Sequence, residues 1–124
     1  MRLLVGQIEY LNCQPFYPLL DRHRLIATLP ADLGRLVGRG EIDAGIIATT
    51  DYLQCKDHYE PIGGLGIANH EEVRSILLFS RKPIAELAGA HVGITEETST
   101  SARLLRVLLE VKDSIVPKEY IRGE

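Results

Sequence analysis

Glu9-Tyr10-Leu11-Asn12-Cys13-Gln14-Pro15 follows the apolar run Met1-Arg2-Leu3-Leu4-Val5-Gly6-Gln7-Ile8, and its reading decides how the chain is folded. The run has strand length. The stretch after it stops that strand on a polar amide and leads into Gln14 to Leu20, where Pro15 near the start and Phe16, Tyr17, Leu19 and Leu20 read as a helix. Asn12 therefore stands just past the carboxyl end of a strand. In open α/β sheets ligands bind in the crevice beyond those ends. An isolated Asn-x-x-Pro is more often a plain helix cap, so the weight given to Asn12 rests on the rest of the chain.

Strand and helix signals alternate from there on. Arg24 to Leu29 reads as a strand, and Pro30 opens a helix that carries Leu33, Leu36 and Val37 on one face and ends at Gly38 and Gly40. Ile42 to Ile47 is nearly all apolar, the pattern of a parallel strand covered on both faces, with Asp43 as a structural carboxylate that caps backbone donors at its start. A short helix is expected around Tyr52 to Lys56. Gly63-Gly64-Leu65-Gly66 is followed by neither a helix nor Lys-Ser/Thr, so it reads as a turn and not as a phosphate loop. Arg74 to Ser80 reads as a strand, Ile84 to Leu87 as a helical turn and His91 to Thr95 as another strand. The longest helix is expected over Thr98 to Lys112, with Ala102, Leu105, Leu108 and Leu109 inward and Leu104, Val107 and Val111 broadening the apolar face.

Composition narrows the function classes. With 124 residues the chain suits one domain or part of a larger protein, and 45% hydrophobic with 25% charged residues is ordinary for a globular chain. A net charge of −3 gives no general attraction for nucleic acid or anionic membranes, so an anionic ligand must be held by local dipoles and donors. No apolar stretch has the length of a membrane span, and no export signal is recognised at the amino terminus, which favours a cytoplasmic enzyme over an exported binding protein. Cys13 and Cys55 are too far apart for a Cys-x-x-Cys site and read as reduced thiols. His23, His58, His70 and His91 lack metal-ligand spacing, and no metal is expected.

Short polar side chains gather at the strand ends: Asn12, then Thr49 and Thr50, then Thr98-Ser99-Thr100-Ser101 at the start of the longest helix. Helix starts favour anions, and hydroxyls add donors without adding charge, so carboxylates are the natural guests. Plain capping explains one hydroxyl of the four in the last cluster and weighs evenly against a ligand site on these residues alone.

Tyr-Leu-Asn-x-x-Pro at residues 10–15, Gly40-Glu41-Ile42-Asp43-Ala44-Gly45-Ile46-Ile47 with Tyr52, Arg74 to Ser80, and Thr95 to Ser101 with Leu104-Leu105 occur in this order over nearly the whole chain. The set resembles the chorismate dehydratases of the futalosine-dependent route to menaquinone. That resemblance implies an α/β fold of the two-lobed periplasmic-binding-protein-like type II class. Residues 1–85 would be the first lobe and residues 86–124 the beginning of an incomplete second lobe, with the boundary near Pro83 to Gly89. It further implies a lyase acting on chorismate, a small dicarboxylate, with no cofactor and no metal. Asn12 matches a catalytic position, and Ser75 lies in the matching Ser-x-x-Leu block as a hydrogen-bonding partner. Thr49, Thr50, Thr98, Ser99, Thr100 and Ser101 are the expected carboxylate-binding residues. Family members are considerably longer, so the chain alone is expected to have little activity and to expose the apolar face of its longest helix. The alternatives are a solute-binding or sensory module for a small carboxylate, and the sister enzyme that makes 1,4-dihydroxy-6-naphthoate, whose usual Pro-Asn-Asp opening is not the one found here.

Overall fold

The computed structural model describes residues 1–123. They form two compact units, one up to Ala68 and the other from Asn69 onward. The first is built on a parallel sheet of β1 (Leu4–Gln7), β2 (Arg24–Ala27) and β3 (Ala44–Gly45) in the order β2-β1-β3. Leu4 pairs with Arg24 and Gln7 with Ala27 on one side of β1, and Gly6 pairs with Gly45 on the other. Helix α1 (Pro30–Gly38) makes the crossover from β2 to β3 and starts, as its Pro suggests, with that residue in the first turn.

Leu33 on α1 has no exposed surface and sits on Gly6 and Gly45; a Cβ added at Gly45 would lie 2.8 Å from Leu33 Cδ2. The paired glycines thus make a notch in the sheet that lets α1 come close. Ile8, Cys13, Tyr17 and Ile42 complete the buried cluster around Leu33.

Several expected elements of this unit come out shorter, β1 and β2 by a few residues at their ends and two others more markedly. The expected strand Ile42 to Ile47 pairs only at Ala44–Gly45, because side chains take the backbone donors on either side of Gly6, one in β1 and one just beyond it. Leu4 N–H donates to Asp43 Oδ2 at 2.7 Å, and Ile8 N–H donates to the Tyr17 hydroxyl at 3.0 Å. The expected helix Gln14 to Leu20 is instead a 3₁₀ turn over Leu11–Phe16. Pro15 and Pro18 supply no N–H, and Pro18 disfavours helical backbone at Tyr17. Helix α2 (Thr49–Gln54) begins earlier than expected, and a 3₁₀ turn at Lys56–His58 follows it.

The second unit has its first regular element at Ile84–Glu86. The strand expected over Arg74 to Ser80 does not form: among the described residues nothing pairs with it, and Phe79 is 86% exposed. An isolated strand cannot satisfy its ladder groups, however suitable its residues. β4 (His91–Thr95) pairs in parallel with β5 (Glu119–Gly123), a strand that the sequence reading did not anticipate. Between them α3 (Thr100–Arg106) continues as a π-helical turn over Val107–Lys112. Val92 and Ile94 are buried while His91, Gly93 and Thr95 are exposed, the alternation of a strand covered on one face. Leu87, Leu109 and Ile115 form the small core, with Ala90 and Leu105 against it. Ala102, Leu105 and Leu109 face inward as expected, whereas Leu104, Val107, Leu108 and Val111 are exposed, Val111 at 75%. Among the described residues no helix is long and apolar enough to cross a membrane.

Candidate functional site

The carboxyl ends of β1 and β3 share one edge of the first sheet, and the polar residues singled out in this unit gather there. β1 lies between β2 and β3, so the chain reverses direction across the sheet between β1 and β3, the kind of point where α/β sheets open a crevice. Asn12 lies in the 3₁₀ turn after β1, and Thr49 and Thr50 lie in the first turn of α2, shortly after β3.

The turn that carries Asn12 is held from both sides. Cys13 and Tyr17 are buried, and the Tyr17 hydroxyl accepts from Ile8 N–H. Cys13 N–H donates to Tyr10 O at 2.9 Å. Asn12 itself is exposed, its Oδ1 3.7 Å from Cys13 Sγ, a weak S–H contact. Burial pushes the Cys13 thiol up, so the S–H keeps its proton at neutral pH. The Tyr17 phenol is also raised, chiefly by burial, with the Ile8 N–H opposing and Cys13 adding to the rise. The result is a polar amide presented to solvent on a firmly anchored turn.

Helix α2 is fixed against α1 at Gly34, where an added Cβ would lie 2.8 Å from Asp51 Cβ. The Tyr59 hydroxyl donates to Gly34 O at 2.8 Å, and the Tyr59 ring tilts against Tyr52 with centroids 6.4 Å apart. Thr49 is exposed; Thr50 is half-buried and engaged in contacts of its own.

In the second unit Thr98, Ser99, Thr100 and Ser101 run from the loop after β4 into α3 and are all half-buried. The helix starts at Thr100, two residues later than the sequence reading placed it. Ser99 is the cap residue, makes no side-chain capping bond and is engaged in a contact of its own. Thr95 Oγ1 and Thr98 Oγ1 share a hydrogen bond of 2.8 Å. Arg122 at the end of β5 donates to Glu96 O at 3.3 Å and to Thr98 O at 3.1 Å, which clamps the loop. Sequence reasoning missed Arg122, because its contacts depend on the unforeseen strand β5. Ser75 lies in the irregular, exposed segment before Ile84, and no strand positions it. Among the described residues no group of three His, Cys, Asp or Glu side chains is placed to hold a metal ion.

Residues 3–122 match a family model described as menaquinone biosynthesis. The chain is 29% identical over 123 residues to the chorismate dehydratase of Thermus thermophilus, an alignment covering 98% of this chain and 44% of that protein. It therefore spans less than half the length of this curated relative.

Proposed function

Because the chain belongs to the menaquinone biosynthesis family, we propose that it forms part of a chorismate dehydratase, a lyase that removes water from chorismate to give 3-(1-carboxyvinyloxy)benzoate. The activity is assigned to the full-length gene product, working in the cytoplasm, with a two-lobed periplasmic-binding-protein-like fold whose lobe boundary lies near Pro83 to Gly89. The observation that carries the reading is the placement of Asn12 and of Thr49 and Thr50 on one carboxyl edge of the sheet, where the strand order reverses.

The chemistry follows from the substrate. One ring carbon loses its hydroxyl, the neighbouring carbon loses its hydrogen as a proton, and the electrons of that C–H bond complete an aromatic ring. Aromatisation supplies the driving force, so the protein has mainly to orient and to donate. The exposed Asn12 amide is suited to donate to the departing hydroxyl, a role in which one placed donor is worth about a hundredfold or more in rate. Thr49, Thr50, Thr98, Ser99, Thr100 and Ser101 offer neutral donors for the two carboxylates, and Ser75 is assigned a further hydrogen bond to the substrate. The proton is assigned to the substrate's own enolpyruvyl carboxylate, with Glu9 and Asp51 as the protein alternatives.

Turnover of chorismate by the full-length product, followed by the ultraviolet absorbance of the new benzoate ring, tests the reading. Asn12→Ala is expected to lower turnover by about a hundredfold while leaving thermal stability unchanged, since the side chain is exposed. Near-normal turnover in the folded variant removes Asn12 from the mechanism. Chorismate that binds to the unsubstituted protein and is recovered intact makes the protein a binding module instead.

A further inference from the structure

Arg103, Arg106, Arg122 and Tyr120, with Ile94 and Ala102, line a pocket of about 160 Å³ on the second unit, partly open to solvent, with Arg106 and Arg122 exposed. Among the described residues no acidic side chain lines it, although Glu110 lies close to the Tyr120 hydroxyl. Arg103 and Arg106 stand three apart on α3 and share a face. Arg122 adds a third guanidinium from β5.

Arg106 and Arg122 are held by contacts that leave donor capacity, and Arg103 is engaged in a contact of its own. Arg122 spends one N–H on Glu96 O and one on Thr98 O, out of the five that a guanidinium carries. Arg106 lies over the Tyr120 ring, its central carbon 4.4 Å from the centroid, a contact that steadies the charge but offers no lone pair to its N–H groups. The Tyr120 hydroxyl oxygen is buried, with the Glu110 carboxylate close to it but outside strict hydrogen-bond geometry among the described residues. Burial raises that phenol, loose hydrogen bonding to Glu110 and the charge of that carboxylate raise it further and Arg106 opposes, so the hydroxyl keeps its proton at neutral pH. The space equals about five water molecules at roughly 30 Å³ each, enough for a small oxyanion with part of its hydration.

We propose that this pocket is an oxyanion site, in which Arg106 and Arg122 bind a phosphate or carboxylate group and Arg103 and Tyr120 complete the lining. Guanidinium N–H pairs match the spacing of oxyanion oxygens, and the charge-assisted bonds are stronger than neutral ones. Arg122 also clamps the loop that leads to Thr98 and Ser99, so an anion bound here stabilises the start of α3. The inference does not need the dehydratase reading, and its test involves no turnover, so either can fail alone.

The test is titration of the 124-residue chain with inorganic phosphate and, separately, with benzoate, at low and high ionic strength. Binding is read by calorimetry and by the nuclear magnetic resonance shifts of the arginine Nε–H groups. Saturable, salt-sensitive binding that moves the Arg106 and Arg122 signals is expected. Arg106→Gln should weaken it by about tenfold or more, and Arg106→Lys should weaken it less. Arg122→Gln should act similarly, and if loss of its loop clamp unfolds the unit, Arg106→Gln alone carries the test. Response to phosphate alone identifies a free phosphate group as the ligand, and response to benzoate identifies a carboxylate; either supports the site. Absence of saturable binding with both probes, or binding that Arg106→Gln leaves unchanged, overturns it.

Discussion

Tyr17 shows how much one side chain decides near the candidate site. Its hydroxyl accepts from Ile8 N–H, which lies just beyond β1 and would otherwise need an acceptor on β3. Its ring lies in the same buried cluster as Cys13, next to Asn12. Tyr17→Phe keeps the ring and leaves a buried N–H without its acceptor, a loss of about 1–3 kcal/mol. Urea denaturation should show that loss, and an unchanged midpoint would mean that another acceptor reaches Ile8. Asn12, one residue from buried Cys13, is by contrast exposed, so substitution there should act on chemistry and hardly on stability.

At the level of elements, the distance between α1 and the sheet is set by what β1 and β3 lack. Gly6 and Gly45 are a registered pair, and Leu33 fills the space above them. A methyl at Gly6 would overlap Leu33 Cδ1, and Leu33, with no exposed surface, has nowhere to turn. Gly6→Ala should therefore cost about 1–3 kcal/mol through overpacking. Combined with Leu33→Ala it should cost clearly less than the sum of the two single changes, because the new methyl then fills vacated space. Additive losses in chemical denaturation would show that the notch is not what holds α1.

For the whole molecule, four groups with raised pKa, Cys13 and Tyr17 buried and Tyr59 and Tyr120 half-buried, bear on alkaline stability. Cys13 is raised from its ordinary 9.0, and Tyr17, Tyr59 and Tyr120 from 10.0, in each case first by burial. Such groups hold their protons more firmly folded than unfolded. Stability is therefore full below the unfolded values and falls as pH rises from them toward the folded ones. Denaturation midpoints should be unaffected by these groups up to about pH 9 and decline above it, and a midpoint still constant well past pH 10 would contradict the assignment. The exposed stripe of Leu104, Val107, Leu108 and Val111 is the second property at this scale. Apolar stripes of this kind promote association, so the 124-residue chain should self-associate as its concentration rises. Val107→Lys with Val111→Glu should return it to monomer in sedimentation; association unaffected by the pair would place the contact elsewhere.

Local pattern determined much of this protein. The alternation of strand and helix, the start of α1 at Pro30, the limits of β4 at His91 and Thr95, and the strand-starting role of Asp43 all follow from residues close together in the chain. So does the placing of Asn12, Thr49 and Thr50 after strand ends, because a strand end is visible wherever an apolar run stops. Tertiary structure alone decided what depends on partners far away. Arg74 to Ser80 has strand residues but, among the described residues, no strand to pair with, whereas Glu119–Gly123, flanked by charge, becomes a strand because β4 offers it a ladder. β3 is cut short because Asp43 and Tyr17 side chains take the backbone donors on either side of Gly6. The Arg122 clamp and the arginine-lined pocket exist only because that unforeseen strand brings Tyr120 and Arg122 against α3. Backbone pairing supplies hydrogen bonds that no local sequence contains, and a side chain's neighbours are known only once that pairing is made.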